Sequence, residues 1–371
     1  MATQAPAAHK LDPKKLDKVK TLFQKQLDQG LHPGAAMAVY HNGKPVLDLY
    51  GGVANKESKQ PVTKDTLFVT YSCSKALAAF CWLVMWERGQ IELNRPIAEV
   101  WPEFGKNGKE KITYRQVLTH TGGFPDTPTE LTYDKMVKWD AAVKAMENAK
   151  PKYQPGQVIA YHSINFGFVI GEIIRRVDGR TISQFLKDEV TGPLGIKDIH
   201  IGLPAKDEKR VAKAYSMPGF ERPEAVDFYN TPACHQAAIP AANGIATARD
   251  LGRFYGMLSM GGTLDGADII RSGAIKGAIM KQVEGTDIND QRRQVKLGLG
   301  FALDAAPMGK PANAGKNRPA VFGHGGMGSC IAFADLETRL AVAILTSGIQ
   351  PEPKNTQRLS ALSQAVWDAL G

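Results

Sequence analysis

Segments that favour β-strands lie near the two ends of this chain, whereas segments that favour helices fill its middle. Near the N-terminus, β-rich stretches at 35–40 and 45–50 flank Asn42-Gly43. This dipeptide predicts a tight hairpin, because the turn needs positive φ at both central residues. Further strands are predicted near the C-terminus, at 295–303, 320–324, 329–335 and 340–347. We expect these distant segments to form one antiparallel sheet built from both chain ends.

Amphipathic patterns predict helices at both termini and through the middle of the chain. The first helix, 11–29, has Asp12 as a capping residue, and the last spans 354–370. The middle helices are predicted at 76–88, 114–118, 134–148, 165–177, 182–190 and 248–260. We therefore expect one unit over 1–371, in which a largely helical subdomain at about 71–260 is inserted into a sheet subdomain at about 11–70 and 261–371.

The composition, with 43% hydrophobic and 22% charged residues, is typical of a soluble globular protein. The formal charge of +9 comes from scattered lysines and arginines, which favours a solvated basic surface over nucleic-acid binding. No stretch approaches the roughly 18 apolar residues of a membrane span, and the N-terminus lacks the apolar region of a secretory signal, so we expect a cytoplasmic protein with no membrane partner. The four cysteines lack C-x-x-C or metal-ligand spacing, which favours free thiols and predicts neither a metal nor another cofactor.

The most unusual local feature is the pair Ser72 and Lys75, at the head of the apolar run 76–85. Residues three apart on a helix share a face, so Ser72 Oγ and Lys75 Nζ can meet. The first turn of a helix also presents free N–H groups, which favour a developing anion. A lysine packs poorly in so apolar a helix, but a neutral lysine that takes a proton from serine explains its presence. The pair therefore predicts a nucleophile and its base.

Two further motifs carry candidate functional residues, each with a structural alternative. Tyr161 lies on a loop before a predicted helix, where its phenol can enter a cleft and shuttle a proton; the alternative is an ordinary half-buried tyrosine. The run His324-Gly325-Gly326-Met327-Gly328 ends a predicted strand. Its glycines let a substrate approach the backbone, and one N–H there can form an oxyanion hole with that of Ser72; the alternative is a glycine-rich turn.

His120 is the histidine that most resembles a candidate base, in Thr119-His120-Thr121-Gly122-Gly123. We interpret it as a hydrogen-bonded structural residue, because Lys75 and Tyr161 already fill the proton-transfer roles.

Together, Ser72-x-x-Lys75, Tyr161-x-Ser163 and His324-Gly325-Gly326 resemble the ordered motifs of the serine β-lactamase and penicillin-binding-protein superfamily. Within it the chain looks most like the class C-related family VIII carboxylesterases, and the resemblance runs from about residue 12 to the C-terminus. Accessory stretches at 118–123, 193–196 and 242–251 also fit. The resemblance implies an α/β (α+β) fold of the β-lactamase/transpeptidase type, with an antiparallel five-stranded-type sheet flanked by helices and a mostly helical insertion.

The resemblance also implies a role for each matching residue. Ser72 attacks the carbonyl and is acylated, while Lys75 and Tyr161 act as general base and acid. The backbone N–H groups of Ser72 and Met327 stabilise the oxyanion. The residues expected to contact Lys75 or the substrate are Ser163, His324, Gly325 and Gly326.

Two departures from class C lactamases bear on the substrate: Ser163 replaces an asparagine, and His324 replaces a lysine. A lysine would hold a permanent cation against a substrate carboxylate, whereas a histidine with an unperturbed pKa of about 6.5 is largely neutral near pH 7. This favours neutral esters and leaves slow lactam turnover open. The leading hypothesis is a carboxylesterase for small or short-acyl esters, with a small-molecule ester as partner.

Three alternatives remain: an acyltransferase that uses the same acyl-enzyme, a β-lactamase or D-amino-acid peptidase, and a non-catalytic binding or assembly protein. Homo-oligomer formation also stays open.

Overall fold

The computed structural model describes residues 10–291, 293–311 and 318–371. Its α-helices are α1 (Pro13–Asp28), α2 (Ser74–Glu87), α3 (Tyr114–Leu118), α4 (Tyr133–Met136), α5 (Trp139–Asn148), α6 (Asn165–Asp178), α7 (Ile182–Leu186), α8 (Pro223–Tyr229), α9 (Pro232–Gln236), α10 (Ala248–Ser259), α11 (Ser272–Ala278) and α12 (Lys354–Ala369). Short 3-10 helices occur at Ile97–Glu99, Pro102–Gly105, Ala205–Arg210 and Ala306–Met308.

The strands are β1 (Gly34–His41), β2 (Lys44–Asn55), β3 (Gln60–Pro61), β4 (Phe68–Tyr71), β5 (Ile199–Ile201), β6 (Tyr215–Ser216), β7 (Gly244–Ala246), β8 (Thr263–Leu264), β9 (Ala267–Asp268), β10 (Val283–Thr286), β11 (Gln294–Leu297), β12 (Ala302–Leu303), β13 (Phe322–Gly326), β14 (Cys330–Asp335), β15 (Leu340–Thr346) and β16 (Gly348–Ile349).

One large antiparallel sheet joins both ends of the chain, as the sequence predicts. In the described residues its order is β10-β11-β12-β13-β14-β15-β1-β2-β3. The five longest strands, β13, β14, β15, β1 and β2, form its centre, and shorter strands extend both edges. The β1–β2 turn has φ of 49° at Asn42 and 73° at Gly43, which confirms the predicted tight hairpin.

Helices cover both faces of this sheet. Side chains of β1 alternate between the faces: Met37 and Val39 pack in the core beneath α1 and α12, whereas Ala38 and Tyr40 point to the opposite core. On that second face α10 contacts β1, β14 and β15. Gly252 of α10 allows this close packing because it has no side chain: a Cβ at that position would lie only 3.0 Å from Ala38 Cβ.

The contacts of α10 bear on the predicted subdomains. This helix falls within the predicted helical subdomain, 71–260, yet it packs on the large sheet. We keep the division into a split sheet part and an inserted helical part as a proposal, and place the second boundary before Ala248.

Several predicted elements are divided in the structure. The single strand predicted at 295–303 is β11 and β12, because Gly298 donates its N–H to Phe301 O (2.9 Å) and forms a turn between them. The helix predicted at 134–148 is α4 and α5, because Lys138 between them has an extended backbone. The helix predicted at 182–190 ends as α7 and continues as a π-helical turn, Lys187–Thr191.

Within the described ranges, no helix combines the length and apolarity needed to cross a bilayer. All four cysteines are buried free thiols, as predicted. Residues 1–9, on which the prediction about a secretory signal rests, lie outside the described residues, so the cytoplasmic location stays a prediction.

Candidate active site

Ser72 lies at a sharp turn between β4 and α2. Strand β4 is held in a second sheet of order β4-β7-β5, which the sequence did not predict. Tyr71 ends β4 with φ of 45°, a left-handed conformation that is rare for a bulky residue. An edge contact with Tyr229, at 5.0 Å between ring centroids, fixes its side chain. Ser72 follows, partly exposed and two residues before α2 begins.

The neighbouring serine, Ser74, has a structural role. It is fully buried, its Oγ donates to the Tyr71 carbonyl, and the same Oγ accepts the Gly244 N–H at 2.7 Å. These bonds tie the start of α2 to β4 and β7. Of these two serines, Ser72 is the one that lines the open cleft, together with Tyr161 and His324.

Lys75 is fully buried beside Ser72, as the spacing predicts. Its Nζ lies 3.3 Å from Ser72 Oγ, 2.7 Å from Ser163 O and 3.0 Å from Ala241 O. Burial lowers the pKa of Lys75 well below 10.5, and the charge of Arg293 acts in the same direction. A neutral amine has two N–H donors and one lone pair. The two carbonyls can accept both N–H groups, which leaves the lone pair for the Ser72 proton.

Both carbonyl partners of Lys75 are backbone groups. Ser163 makes its contact through the main chain, while its side chain is exposed, so the polar contact implied by the motif is not a hydroxyl contact. Ala241 was not identified from the sequence. Its loop is shaped by buried Asn243, whose Nδ2 donates to Cys234 O and Ala237 O, each at 2.7 Å. The sequence signal nearest to Ala241 was the accessory stretch 242–251, which begins at the next residue.

Tyr161 lies next to this pair. Its ring centroid is 4.7 Å from Lys75 Nζ and 5.4 Å from the Arg293 guanidinium carbon. Burial raises the pKa of Tyr161 to about 12, although a side-chain interaction with Ser72 opposes this shift. The phenol is therefore protonated at neutral pH, and a protonated phenol can donate to a departing alkoxide.

Strand β13 runs along the turn that contains Ser72. The Cys73 thiol donates to His324 O at 2.9 Å, which joins the start of α2 to this strand. Met327 directly follows β13 and, like Ser72, belongs to neither a helix nor a strand. Both residues line the same cleft, as do Tyr161 and His324. The structure thus brings the two candidate oxyanion donors to one cleft.

Gly326 and Gly325 offer a matched pair of substitutions. A Cβ on Gly326 would lie 2.5 Å from both Cys330 Sγ and Thr70 O, whereas the nearest atom to a Cβ on Gly325 is 3.6 Å away. Gly326→Ala must push β13 from the Ser72 turn, so we expect kcat to fall by roughly ten-fold or more and the protein to melt earlier. Gly325→Ala is expected to keep the wild-type melting temperature. Kinetics and thermal melts of both variants test this, and equal behaviour of the two would contradict the packing argument.

The histidines of the site are neutral. Burial lowers the pKa of His324 to about 3 and that of His162 to about 4. Burial also lowers the pKa of His120 well below 6.5. His120 Nδ1 accepts the His162 N–H at 3.1 Å, and its ring lies 4.6 Å from that of Tyr161. The hydrogen-bonded state predicted for His120 is confirmed, and His324 supplies no cation.

Arg293 and Asp287, which lie in the turn between β10 and β11, were not predicted from the sequence. Asp287 is buried, and its Oδ1 accepts the Tyr161 backbone N–H at 3.2 Å. Arg293 Nη1 lies 3.5 Å from Asp287 Oδ2. No local motif marks these residues, because only the pairing of distant segments brings the hairpin tip to Tyr161. Arg293 therefore adds a positive charge that the motifs did not reveal.

Removing this charge should move the pH dependence of the reaction. A lysine base is active when deprotonated, so the rate rises with pH through its pKa. Since the positive charge of Arg293 lowers the pKa of Lys75, Arg293→Gln raises it. We expect the acidic limb of the kcat/KM profile to shift to higher pH by roughly half a unit. Lys281→Gln, which removes an exposed charge paired with Glu284, is the control; a shift to lower pH in Arg293→Gln would contradict this account.

Comparisons with known proteins agree with the architecture. The Beta-lactamase family matches residues 19–366. The protein called Esterase/beta-lactamase LipL, from Mycobacterium tuberculosis, is 30% identical over 342 residues, which cover 84% of this chain and 76% of LipL. The structure of a family VIII carboxylesterase superposes with a TM-score of 0.86 at 28% identity, over 97% of this chain and all (100%) of that one. A penicillin-binding protein homologue from Caulobacter crescentus gives 0.82 at 31% identity, with coverage of 97% and 100%. The fold is of the β-lactamase/transpeptidase type, and the chain belongs to the beta-lactamase family.

Proposed function

We propose that this protein is a serine carboxylesterase that hydrolyses small or short-acyl esters through an acyl-enzyme on Ser72. The observation that carries the proposal is the set of contacts around Lys75. Its two carbonyl partners account for both N–H donors of a neutral amine, and its third hydrogen-bond partner in the described part of the chain is Ser72 Oγ at 3.3 Å. A buried lysine with a lowered pKa is suited to activate a hydroxyl nucleophile.

Acylation begins when Ser72 Oγ bonds to the ester carbonyl carbon and its proton moves to Lys75 Nζ. The carbonyl oxygen becomes an oxyanion, which the backbone N–H groups of Ser72 and Met327 stabilise by about 3 kcal/mol each. Collapse of this intermediate breaks the bond to the alcohol. The departing alkoxide takes a proton from Tyr161, which Lys75 then restores, and the acyl group stays on Ser72.

Deacylation repeats these steps with water as the nucleophile. Lys75, neutral again after the alcohol has left, takes a proton from water directly or through Tyr161. The oxyanion forms at the same backbone donors, and the proton returns to Ser72 Oγ as the carboxylic acid leaves.

Two observations favour esters over β-lactams. The residue at the start of the third motif, His324, has its pKa lowered to about 3 and is neutral, so it offers no cation to a substrate carboxylate. The nearby cation, Arg293, already faces the carboxylate of Asp287 at 3.5 Å. A relative that is 28% identical over nearly the whole chain is described as a family VIII carboxylesterase. Lactam hydrolysis is the second candidate, since the name of LipL includes both activities.

Parallel kinetics with a 4-nitrophenyl butyrate ester, a chromogenic cephalosporin and a D-alanyl peptide test the proposal. We expect kcat/KM for the ester to exceed that for the cephalosporin by about a hundred-fold or more, a difference of about 2.7 kcal/mol in transition-state stabilisation. The reverse order would favour the lactamase candidate. Added alcohols then report the acceptor: if the acyl group passes to alcohol and never to water, the protein is an acyltransferase.

A further inference from the structure

A buried arginine, Arg358 of α12, binds the turn between β13 and β14. The residue is 4% exposed. Nη2 donates to Gly328 O at 2.8 Å and to Gly348 O at 3.2 Å. Nη1 donates to His32 Nδ1 at 2.9 Å and to Thr346 Oγ1 at 3.1 Å. Among the described residues Arg358 forms no ion pair: neutral groups accept from Nη1 and Nη2, and the buried Nε has no hydrogen-bond partner there.

Such an arrangement is costly for stability. A buried charge without a counterion loses its hydration, and carbonyl groups restore only part of that free energy. Burial lowers the pKa of Arg358 to about 10, so the guanidinium is still charged at neutral pH. Burial also lowers the pKa of His32 to about 3, which keeps the imidazole neutral and its Nδ1 free to accept. A role of Arg358 in positioning the turn that it binds gives a reason why the protein keeps this costly buried charge.

The turn that Arg358 holds contains Met327. Gly328, the next residue, has φ of 57°, and a Cβ on it would lie 2.3 Å from Gln350 O. Its carbonyl accepts from Gln350 N at 2.8 Å as well as from Arg358. On the other side of the turn, Ser329 N donates to Gly326 O at 2.9 Å. The Gly328 carbonyl and the Ser329 N–H belong to one peptide unit, and that N–H binds the carbonyl of the unit that carries the Met327 N–H, so the bonds of Arg358 and Gln350 are linked to the oxyanion donor through the turn.

We propose that Arg358 is a positioning residue for the oxyanion donor at Met327. Its bonds to the Gly328 carbonyl hold the turn so that the Met327 N–H is directed to the cleft beside Ser72. The inference rests on the proposed function, because it assigns the oxyanion role to that N–H. An oxyanion donor acts only within about 2.7–3.1 Å of the developing charge, and a displacement of about 1 Å can cost a hundred-fold in rate.

Substitutions of Arg358 separate this role from a purely structural one. Arg358→Lys keeps the charge, but one ammonium cannot reach acceptors on both sides of the guanidinium fork. Arg358→Met removes the charge and leaves the Gly328 carbonyl bound to Gln350 alone. Asn355→Ala is a milder variant, since Asn355 Oδ1 accepts from Nη2 at 3.1 Å. Any of these three variants can be used for the test if its circular dichroism spectrum matches that of the wild-type protein.

The matched control is Lys109→Met. Lys109 is also a fully buried cation held by carbonyls, with Nζ 3.0 Å from Lys106 O and Glu147 O and a third bond to Ala149 O, and none of these residues lines the cleft. Its loss should lower the melting temperature without changing kcat.

The measured quantities are kcat, KM and the inhibition constant of an arylboronic acid, whose tetrahedral adduct on Ser72 places an oxygen at the oxyanion donors. We expect Arg358→Met to lower kcat by roughly ten- to a hundred-fold, to weaken boronate inhibition in parallel, and to leave KM within roughly three-fold. Arg358→Lys and Asn355→Ala should show the same changes to a smaller degree. Rates are normalised to the active-site concentration found by titration.

Two results overturn the inference. A folded Arg358 variant with unchanged kcat and unchanged boronate inhibition contradicts the positioning role, while the esterase proposal stands on wild-type turnover. An equal fall of kcat in Lys109→Met would show that destabilisation alone explains the effect. Absence of ester turnover in the wild-type protein is a different outcome: it contradicts the proposed function itself, and the positioning role of Arg358, which rests on that function, falls with it.

Discussion

Replacing Ser72 with alanine is expected to lower kcat/KM for ester hydrolysis by about four orders of magnitude or more. The expectation follows from the hydrogen bonds of Lys75 Nζ within the described residues, among which Ser72 supplies the one hydroxyl. Removal of a serine nucleophile in other hydrolases reduces the rate by about a million-fold, because little else in the site can replace it. Initial rates with 4-nitrophenyl butyrate measure the effect.

Ser74→Ala is the matched control for this substitution. Ser74 Oγ accepts the buried Gly244 N–H at 2.7 Å, so its removal leaves that donor without its partner. We expect a loss of about 1–3 kcal/mol in the free energy of unfolding and a kcat within roughly ten-fold of wild type. If Ser74→Ala abolished turnover in a folded protein while Ser72→Ala kept it, the assignment of the nucleophile would be wrong.

Replacing Lys75 with methionine is expected to lower kcat by roughly a thousand-fold. A positioned general base contributes about a hundred- to ten-thousand-fold, and methionine has similar length but no basic nitrogen. Burial lowers the pKa of Lys75, which favours the neutral amine that a general base requires. Rates measured from pH 6 to 10 should also lose the acidic limb assigned to this lysine.

Lys109→Met is again the control, because it makes the same change at another fully buried lysine. Burial lowers the pKa of Lys109 to about 8, so a lowered pKa alone does not distinguish the two lysines. The two lysines differ in their hydrogen-bond partners: Lys75 lies beside a hydroxyl, whereas Lys109 donates to carbonyl oxygens in the part of the chain that the structure describes. Comparable losses of kcat in both variants would contradict a base role for Lys75.

The features that could be predicted from the sequence depend on neighbours within one turn. Asn42-Gly43 sets the β1–β2 turn because both residues tolerate positive φ. Asp12 caps α1 by accepting the Lys14 N–H at 2.9 Å. Ser72 and Lys75 meet because they are three residues apart at a helix start. In each case the relevant geometry is local.

The features that could not be predicted depend on distant segments or on the backbone. Ala241 and Ser163 hold Lys75 through carbonyl groups, which every residue has, so no residue type marks them. Arg293 reaches Tyr161 only because the β10–β11 hairpin folds over residues 159–161. The sequence pattern predicts that Arg358 is an ordinary polar residue of an amphipathic helix, yet it is buried against the turn at Gly328.

The most direct test is intact-mass analysis of the protein during turnover of a slowly deacylating ester, followed by peptide mapping. We predict a mass increase equal to the acyl group, located on the peptide at Ser72, and no increase in Ser72→Ala. An adduct that persists in Ser72→Ala, or that maps to another residue of the wild-type protein, would contradict the acyl-enzyme account.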